Sequence, residues 1–407
     1  MRFLRKHKVG YILLALLFCL TAVSCGREDT PACTDYFGAG RSDITAQSGD
    51  TEVTAADTAK EGELTLVMVG DVLMHTAVTE SGLQDDGSYN FDHMFANVKD
   101  EISAADLALV NQEVILGGTK LGLSGYPNFN APYEVGDALI GAGFDVVLHA
   151  TNHAMDKGKD GIVNCLNYWK QHPEMTIVGI NETKEAQDKT TLITVNGITV
   201  AILNYTYGTN GNKLPSDMPY AVNLLDKDTI KADVAKAKEE ADFVIVCPHW
   251  GTEYIHTTSK DQEYWANIFA SCGVDLVIGT HPHVIEPVKE IKNSDGDMMP
   301  VFYSLGNFIN STAETGKGTA DRMVGAMAKV TLKRTESGIE IDSYEAVPLV
   351  TQMAEGRGKI TTYFLSDYTE ELAEQNGVKQ RDDTFSLDFC KNLCTEVFGE
   401  DAENNIE

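Results

Sequence analysis

Basic residues are scarce in this chain of 407 residues: 32 Lys and Arg stand against 61 Asp and Glu, a formal charge of −29. So acidic a surface repels phosphate backbones, which excludes sequence-independent nucleic-acid binding and a polybasic membrane patch. Proline is also scarce, at 11 residues; with 35 Gly and 43% hydrophobic residues the composition lies outside the collagen-like and wholly disordered classes. The eight cysteines show no zinc-finger spacing, and stability need not rest on disulfides. Cys165 and Cys247 sit in apolar patterns and read as buried small hydrophobes, while Cys390 and Cys394, one helical turn apart, read as packing. What the chain does have is length enough for one large or two ordinary domains with a real core.

The few bases are unevenly placed. Arg2, Arg5, Lys6 and Lys8 precede an apolar run from Tyr11 to Leu20, then Thr21-Ala22-Val23-Ser24-Cys25. That run is shorter than the roughly 20 apolar residues of a spanning helix, so residues 1–24 read as a secretion signal. The small residues before Cys25 resemble the bacterial lipobox, with Ala22 where Leu is commoner; the alternative is an ordinary cleaved signal with an incidental Cys. The resemblance implies lipidation of Cys25 and a protein anchored on the extracytoplasmic face of a bacterial cell membrane. Losing the four leader bases would take the charge to −33. Residues 25–62, rich in Thr, Asp, Ala, Ser and Gly without apolar periodicity, read as a solvated acidic tether.

From Leu64 onward short apolar runs alternate with amphipathic stretches, the order of an α/β domain with parallel strands. Leu64–Val69, Leu107–Val110, Asp145–Leu148, Phe243–Val246, Val274–Ile278 and Val301–Tyr303 read as buried strands. Asp226 caps a predicted helix whose Ile230, Val234, Ala237 and Ala241 share a face; Tyr133–Ala142 and Gln262–Ser271 read similarly. Asn196-Gly197 between β-rich runs signals a type I′ hairpin, so the sheet is mixed. A second hairpin is expected from Gly325–Leu332 and Ile339–Val347, turning at Glu336-Ser337-Gly338. Thr361–Glu374 and Phe385–Phe398 read as helices.

In open α/β sheets ligands collect where strands exit. Here the exits read Gly70-Asp71, Asn111-Gln112-Glu113, Thr151-Asn152-His153, Pro248-His249-Trp250-Gly251 and Gly279-Thr280-His281-Pro282-His283. Six of the ten histidines, His75, His149, His153, His249, His281 and His283, lie in or beside them. Carboxylate, amide oxygen and imidazole together suit divalent ions of the Mn, Fe or Zn class better than Ca or Mg. The ligand count fits two ions bridged by one carboxylate, the arrangement that activates water against a phosphoryl centre.

Those residues carry a resemblance. Val67–Met74, Asn111-Gln112-Glu113, Asn130-Ala131-Pro132 through Asp156, His249–Tyr254, Val274–Val284 and Tyr303–Phe308 together resemble the CapA family of poly-gamma-glutamate capsule biosynthesis proteins, over about Leu64 to Asn310. The resemblance implies a calcineurin-like metallophosphatase fold, a sandwich of two mixed β-sheets flanked by helices. It implies Asp71 as a first-metal ligand, Glu113 as the bridge, Asn152 and His249 on the second metal, His281 and His283 completing the pair, and His153 as the non-ligand that protonates a leaving group. Thr151 stands where Asn is common, and His75 follows Asp71 at a spacing of four in place of Asp-x-His; its loop position makes a surface place the expectation for His75, with a metal ligand as the alternative.

Other residues have two readings. His149 is packed or supports the site. Trp250 and Tyr254 line a substrate pocket or belong to the core. Glu253 orients His249. Asn111 lies beside the ligands, Asn307 and Ser304 are site groups or turn residues, and Asp156 supports the preceding loop or caps the next helix. Residues 63–350 are expected to form the metallophosphatase-like domain and residues 351–407 a helical, surface-packing extension. Two functions follow: a metal-dependent phosphoesterase-type hydrolase, or a non-catalytic accessory that positions or exports an anionic envelope polymer. The partners are that polymer or a phosphoester, the membrane and a polymer synthase complex.

Overall fold

The computed structural model describes residues 62–354 and 359–399; the predicted leader, Cys25 and the tether up to residue 61 lie outside the described residues. Among those described, no helix is long and apolar enough to cross a membrane. The first strand, Glu63–Val72 (β1), shows how the sequence builds layers. Successive side chains of a strand face opposite ways. Leu64, Leu66 and Met68 therefore enter one apolar cluster, and Val67 and Val69 enter another.

β1 is followed by Leu107–Asn111 (β2), Val146–Leu148 (β3) and Thr176–Val178 (β4). A second sheet takes Thr191–Val195 (β5), Ile198–Thr206 (β6), Phe243–His249 (β7), Leu276–Ile278 (β8), Ile285–Lys292 (β9) and Met298–Leu305 (β10). Asn307–Ile309 (β11), Val324–Arg334 (β12), Ile339–Gln352 (β13) and Thr361–Phe364 (β14) return to the first. The orders are β14-β13-β12-β1-β2-β3-β4, with β11 on β1, and β5-β6-β7-β8-β10-β9. Parallel pairs such as β1–β2 and β6–β7 coexist with antiparallel ones such as β12–β13 and β5–β6. The fold is thus α/β with two mixed sheets, as expected. The second antiparallel pair turns at Asn196 and Gly197, φ 51° and 78°, the left-handed pair a type I′ turn requires.

One cluster fills the space between the sheets: Leu64 and Leu66 meet Val200, Ile202 and Ile245 there. The other two lie on the outer faces, where helices cover them; Ile230, Val234 and Ala237 of the helix Lys227–Glu240 pack there, and Asp226 caps that helix through Thr229 N at 2.9 Å. Each such fully buried Val, Leu or Ile side chain contributes about 1.5–3 kcal/mol.

The C-terminal part differs from expectation. Thr361–Phe364 is a strand, pairing along Leu349–Gln352 of β13, and the helix begins only at Glu370 after the Thr369 cap. β-Branched and aromatic residues favour that pairing with an open sheet edge over the helix. Nor is the segment a surface appendage: Phe385, Cys390 and Cys394 are buried in the cluster between the sheets, and residue 350 falls inside β13.

Candidate metal centre

Strands β1, β2, β3, β7 and β8 release their chains at one end of the sandwich, and the predicted ligands meet there. Asp71 is set by a close backbone approach: its N–H donates to Gly306 O at 3.0 Å, and a Cβ on Gly70 would lie 1.9 Å from that same oxygen. Only glycine fits there. Glu113, just past β2, has its carbonyl held by Thr151 Oγ1 at 2.7 Å, so the third exit braces the second. His281 and His283 have φ of 102° and 59°. Left-handed backbone at non-glycine residues is costly and persists where the surroundings over-determine it, as they do at functional sites.

Glu113 is fully buried, and neither of its carboxylate oxygens has a hydrogen-bond partner. Its Oε1 lies 3.7 Å from His283 Nε2, 3.8 Å from His249 Nε2 and 3.9 Å from His153 Nε2. Asp71 Oδ2 is 3.1 Å from His283 Nδ1, and Asn111 Nδ2 donates to Asp71 Oδ1 at 2.7 Å. His249 is fixed at both nitrogens, with Thr280 Oγ1 3.0 Å from Nδ1 and Asn152 Oδ1 2.9 Å from Nε2. Asp71, Glu113 and His283 form one group able to hold an ion, and Glu113, His249 and His281 form another; Glu113 belongs to both.

Two observations test whether divalent ions suit these residues. Isolated buried charge is expensive, so Glu113 without partners must take up a proton or a cation. His281 Nδ1 is likewise buried and unpartnered. Ligand bonds of about 2.0–2.2 Å put two donors of one ion roughly 3–4 Å apart, just the spacing around Glu113 Oε1. The electrostatics agree. Burial pushes Glu113 well above the usual carboxylate range, and it holds His249 and His281 well below theirs, assisted by the neighbouring imidazoles. Burial opposes charge on His283 too, but Glu113 and Asp71 together outweigh it and push it up to about 9. The bare site thus takes up protons at Glu113 and His283 while His249 and His281 stay neutral. The residues fit such ions.

His153 stands at the edge of this group. Asp156 Oδ2 lies 2.6 Å from its Nδ1 and also accepts from Phe129 N at 2.8 Å, leaving Nε2 turned toward Glu113. Phe129 meets the ring edge-on at 4.6 Å. Asp156 is therefore the orienting acid of His153 and not a cap; the next helix starts after Lys157, which makes no cap bond.

Three expectations need correction. Glu253 does not orient His249: it is exposed, Thr280 occupies that place, and Glu253 lies instead near His281 and His283. Trp250 is core, with Nε1 donating to Tyr303 O at 2.9 Å and the two rings stacked. His75 is half-buried against Phe129 and held down at about 4, first by burial and then by His283 and His153. His149 is packed: it accepts from Trp169 Nε1 at 3.0 Å, and burial holds it at about 3. Asn307 is a site group, with Oδ1 3.1 Å from His283 Nδ1 and Nδ2 donating to His283 O, whereas Ser304 secures backbone, its Oγ donating to Val284 O and accepting from Gly306 N. Tyr254 is 41% exposed, at the mouth of the site. Sequence reasoning missed Thr280, Asn210 and Tyr207. Asn210 bridges Asn152 and His153, and Tyr207 lies against His281.

Known proteins resemble this chain. The family model described as bacterial capsule synthesis protein PGA_cap matches residues 65–312. Capsule biosynthesis protein CapA of Bacillus anthracis is 31% identical over 269 residues, 64% of this chain and 63% of that protein, so the match spans less than two thirds of that relative's length. PGA biosynthesis protein CapA of Bacillus subtilis (strain 168) is 29% identical over 308 residues, 74% of this chain and 77% of that protein. Among solved structures, a 5′-nucleotidase precursor from Thermus thermophilus has a TM-score of 0.45 at 15% identity, covering 71% of this chain and 54% of that one. All the residues gathered at the strand exits fall inside the matched stretch, and the chain belongs to the PGA_cap family of bacterial capsule synthesis proteins.

Proposed function

We propose that this chain is a metal-dependent hydrolase of the phosphoesterase type that serves capsule-polymer synthesis, with a phosphoester or an anionic envelope polymer as substrate. The observation that carries this reading is Glu113, a buried carboxylate without hydrogen-bond partners at the meeting point of two ligand groups. Asp71, Glu113, His283, His249, His281 and Asn152 would hold two divalent ions of the Mn, Fe or Zn class. Such ions supply Lewis-acid polarisation of a phosphoryl oxygen and an acidified water. The chain's own residues do the rest. Asp71 is kept in place by Asn111 and by the His281 N–H, 3.3 Å from its Oδ2. Asp156 fixes the His153 ring, and Nε2 of His153 gives a proton to the departing oxygen. A scaffold that only binds polymer has no need of so oriented an imidazole.

The relatives' names place those proteins in capsule and PGA biosynthesis, which supports the polymer setting here. A lipid anchor at Cys25, exposure outside the cell membrane and association with a polymer synthase complete the proposal, with no nucleic-acid partner. The test is to purify the chain, measure bound metal, and assay phosphomonoester, phosphodiester and gamma-glutamyl substrates beside Asp71→Ala and His153→Ala. Metal should be lost in the first and kept in the second, with slow turnover. Bound metal without turnover on any substrate would defeat the hydrolase and leave the accessory role. Movement of Cys25→Ser from the membrane to the soluble fraction tests the anchor.

A further inference from the structure

The C-terminal segment, to which the sequence assigns no role, forms a wall of a large cleft beside the metal centre. The cleft has a volume of about 1070 Å³. His75, Glu253 and Tyr254 line it on the side of the metal centre, while Gly377 and Arg381 line it on the C-terminal side. Pockets for small ligands run to about 300–1,000 Å³, so this one has room for more than a single phosphate group.

Tyr254 links the two sides. Its backbone is left-handed, φ 63°, and its N–H donates to Pro282 O at 2.8 Å, between the two histidines of the exit. Its ring lies 5.9 Å from that of His283, and the Arg322 guanidinium lies 3.7 Å from its centroid. A guanidinium so placed is held by the ring's negative face. Arg322 Nη2 donates to Glu314 Oε2 at 2.6 Å, but its buried Nε has no partner. Arg381 reaches the cleft with Nη1 on Ala313 O at 3.2 Å, and its Nε is also buried and unpartnered. Among the described residues no carboxylate pairs with Arg381, in a chain whose acids outnumber its bases 61 to 32.

We propose that Arg322 and Arg381 form a carboxylate-binding subsite, through which the C-terminal segment holds an extended, carboxylate-bearing part of the substrate while its reacting end lies at the metal centre. Guanidinium forks match carboxylates in two-bonded geometry. Arg322 lies against Tyr254 on the metal side and Arg381 on the C-terminal wall, a span that a linear chain with repeated carboxylates covers and a lone phosphate does not. Glu314, with its side chain 66% exposed against 13% for that of Arg322, is the internal occupant to be displaced from Arg322. The subsite rests on the proposed function only in taking the metal centre as the reacting end.

Calorimetric titration of the full chain with a gamma-linked glutamate tetramer, with and without Mn²⁺, tests this, with bound metal measured in parallel. Arg381→Ala should weaken tetramer binding about tenfold or more in either metal state, the loss expected of a charge-assisted bond. Arg381→Lys should recover part of it. Glu314→Gln should tighten binding by freeing Arg322, a gain that a damaged fold would not give. Tetramer binding by Arg381→Ala equal to that of the unsubstituted chain overturns the subsite, as does absence of binding by the unsubstituted chain. Tripolyphosphate binding more tightly, with the same Arg381 dependence, overturns the carboxylate assignment. Arg381-dependent binding without turnover of any substrate defeats the hydrolase reading and upholds the subsite.

Discussion

At the candidate metal centre, Asp71 and His249 lie at the ends of their strands and Glu113, Asn152 and the His281/His283 pair follow closely on theirs, whereas Arg381 on the opposite wall rides on a short turn after Gly377–Gln380 and not on a strand exit. The first wall gains precision from the sheets: strand ends fix the direction of a side chain, and groups that share ions tolerate little misplacement. The second gains its position from docking, through Phe385, Cys390 and Cys394 in the core between the sheets. On the proposed function, chemistry lies at the strand exits, and what fits is set by a segment folded back against them.

The difference predicts unequal responses to substitution. The largest is at Glu113, the residue common to both ion-holding groups. Glu113→Ala should drop bound metal far below that of the unsubstituted chain and take turnover to background, as read by metal analysis and assay. If metal content were unchanged, the two groups would not share this residue and the metal wall would lose its definition. Next comes His153→Ala, which should keep its metal and lose about 10²–10⁴ in kcat, the usual contribution of general acid–base catalysis. Substrates with good leaving groups should lose least, because they need no proton. Asp156→Asn should cost less, about 10–100-fold, as substitutions of orienting partners do.

A substitution in the docked wall should show the opposite profile. Phe385 is fully buried between the sheets, beside Tyr368 and Phe389. Phe385→Ala should lower stability by about 3–5 kcal/mol in denaturant unfolding. Because it loosens the wall and not the strand exits, KM should rise more than kcat falls. A fall in kcat with KM unchanged would mean that the two walls are not separable.

The same contrast explains what could be read in advance. Consecutive strand exits are local in sequence, so Asp71, Glu113, Asn152, His153 and the later histidines stood out by residue type alone, and the alternation of Leu64 through Val69 gave away the layers. Asp156 was visible only as a loop acid, since its bond to His153 depends on how residues 153–156 turn. Thr280 displaced Glu253 as the partner of His249 for a similar reason: Thr280 bridges to His249 in the ladder, while Glu253 lies in a loop that carries it outward. Thr361–Phe364 was hidden because this strand has only four residues and runs on toward the helix that begins at Glu370, whose pattern dominates a window over the segment. Arg381 carries no local signal at all; its place is fixed by packing between distant segments.

The smallest predicted effect concerns a second buried carboxylate, which shows that burial alone does not make a metal site. Glu286 is 1% exposed, on β9, and accepts a hydrogen bond from Gln262 Nε2 with no imidazole among its partners. Burial pushes it up to about 8, against the lowering by Gln262 and Lys289. In the unfolded chain it ionises near its ordinary value of 4.5, so between there and 8 the folded state holds a proton that the unfolded state has released. Stability must therefore fall as pH rises through this range, with the full penalty present above 8. Glu286→Gln keeps an acceptor for Gln262 and removes the ionisation. It should leave bound metal and turnover as they are, change Tm little near pH 5, and raise Tm by a few degrees near pH 9, a gain on the order of one to a few kcal/mol. An equal change in Tm at both pH values would show that Glu286 does not titrate within the fold, whereas loss of metal would erase the distinction between this acid and Glu113.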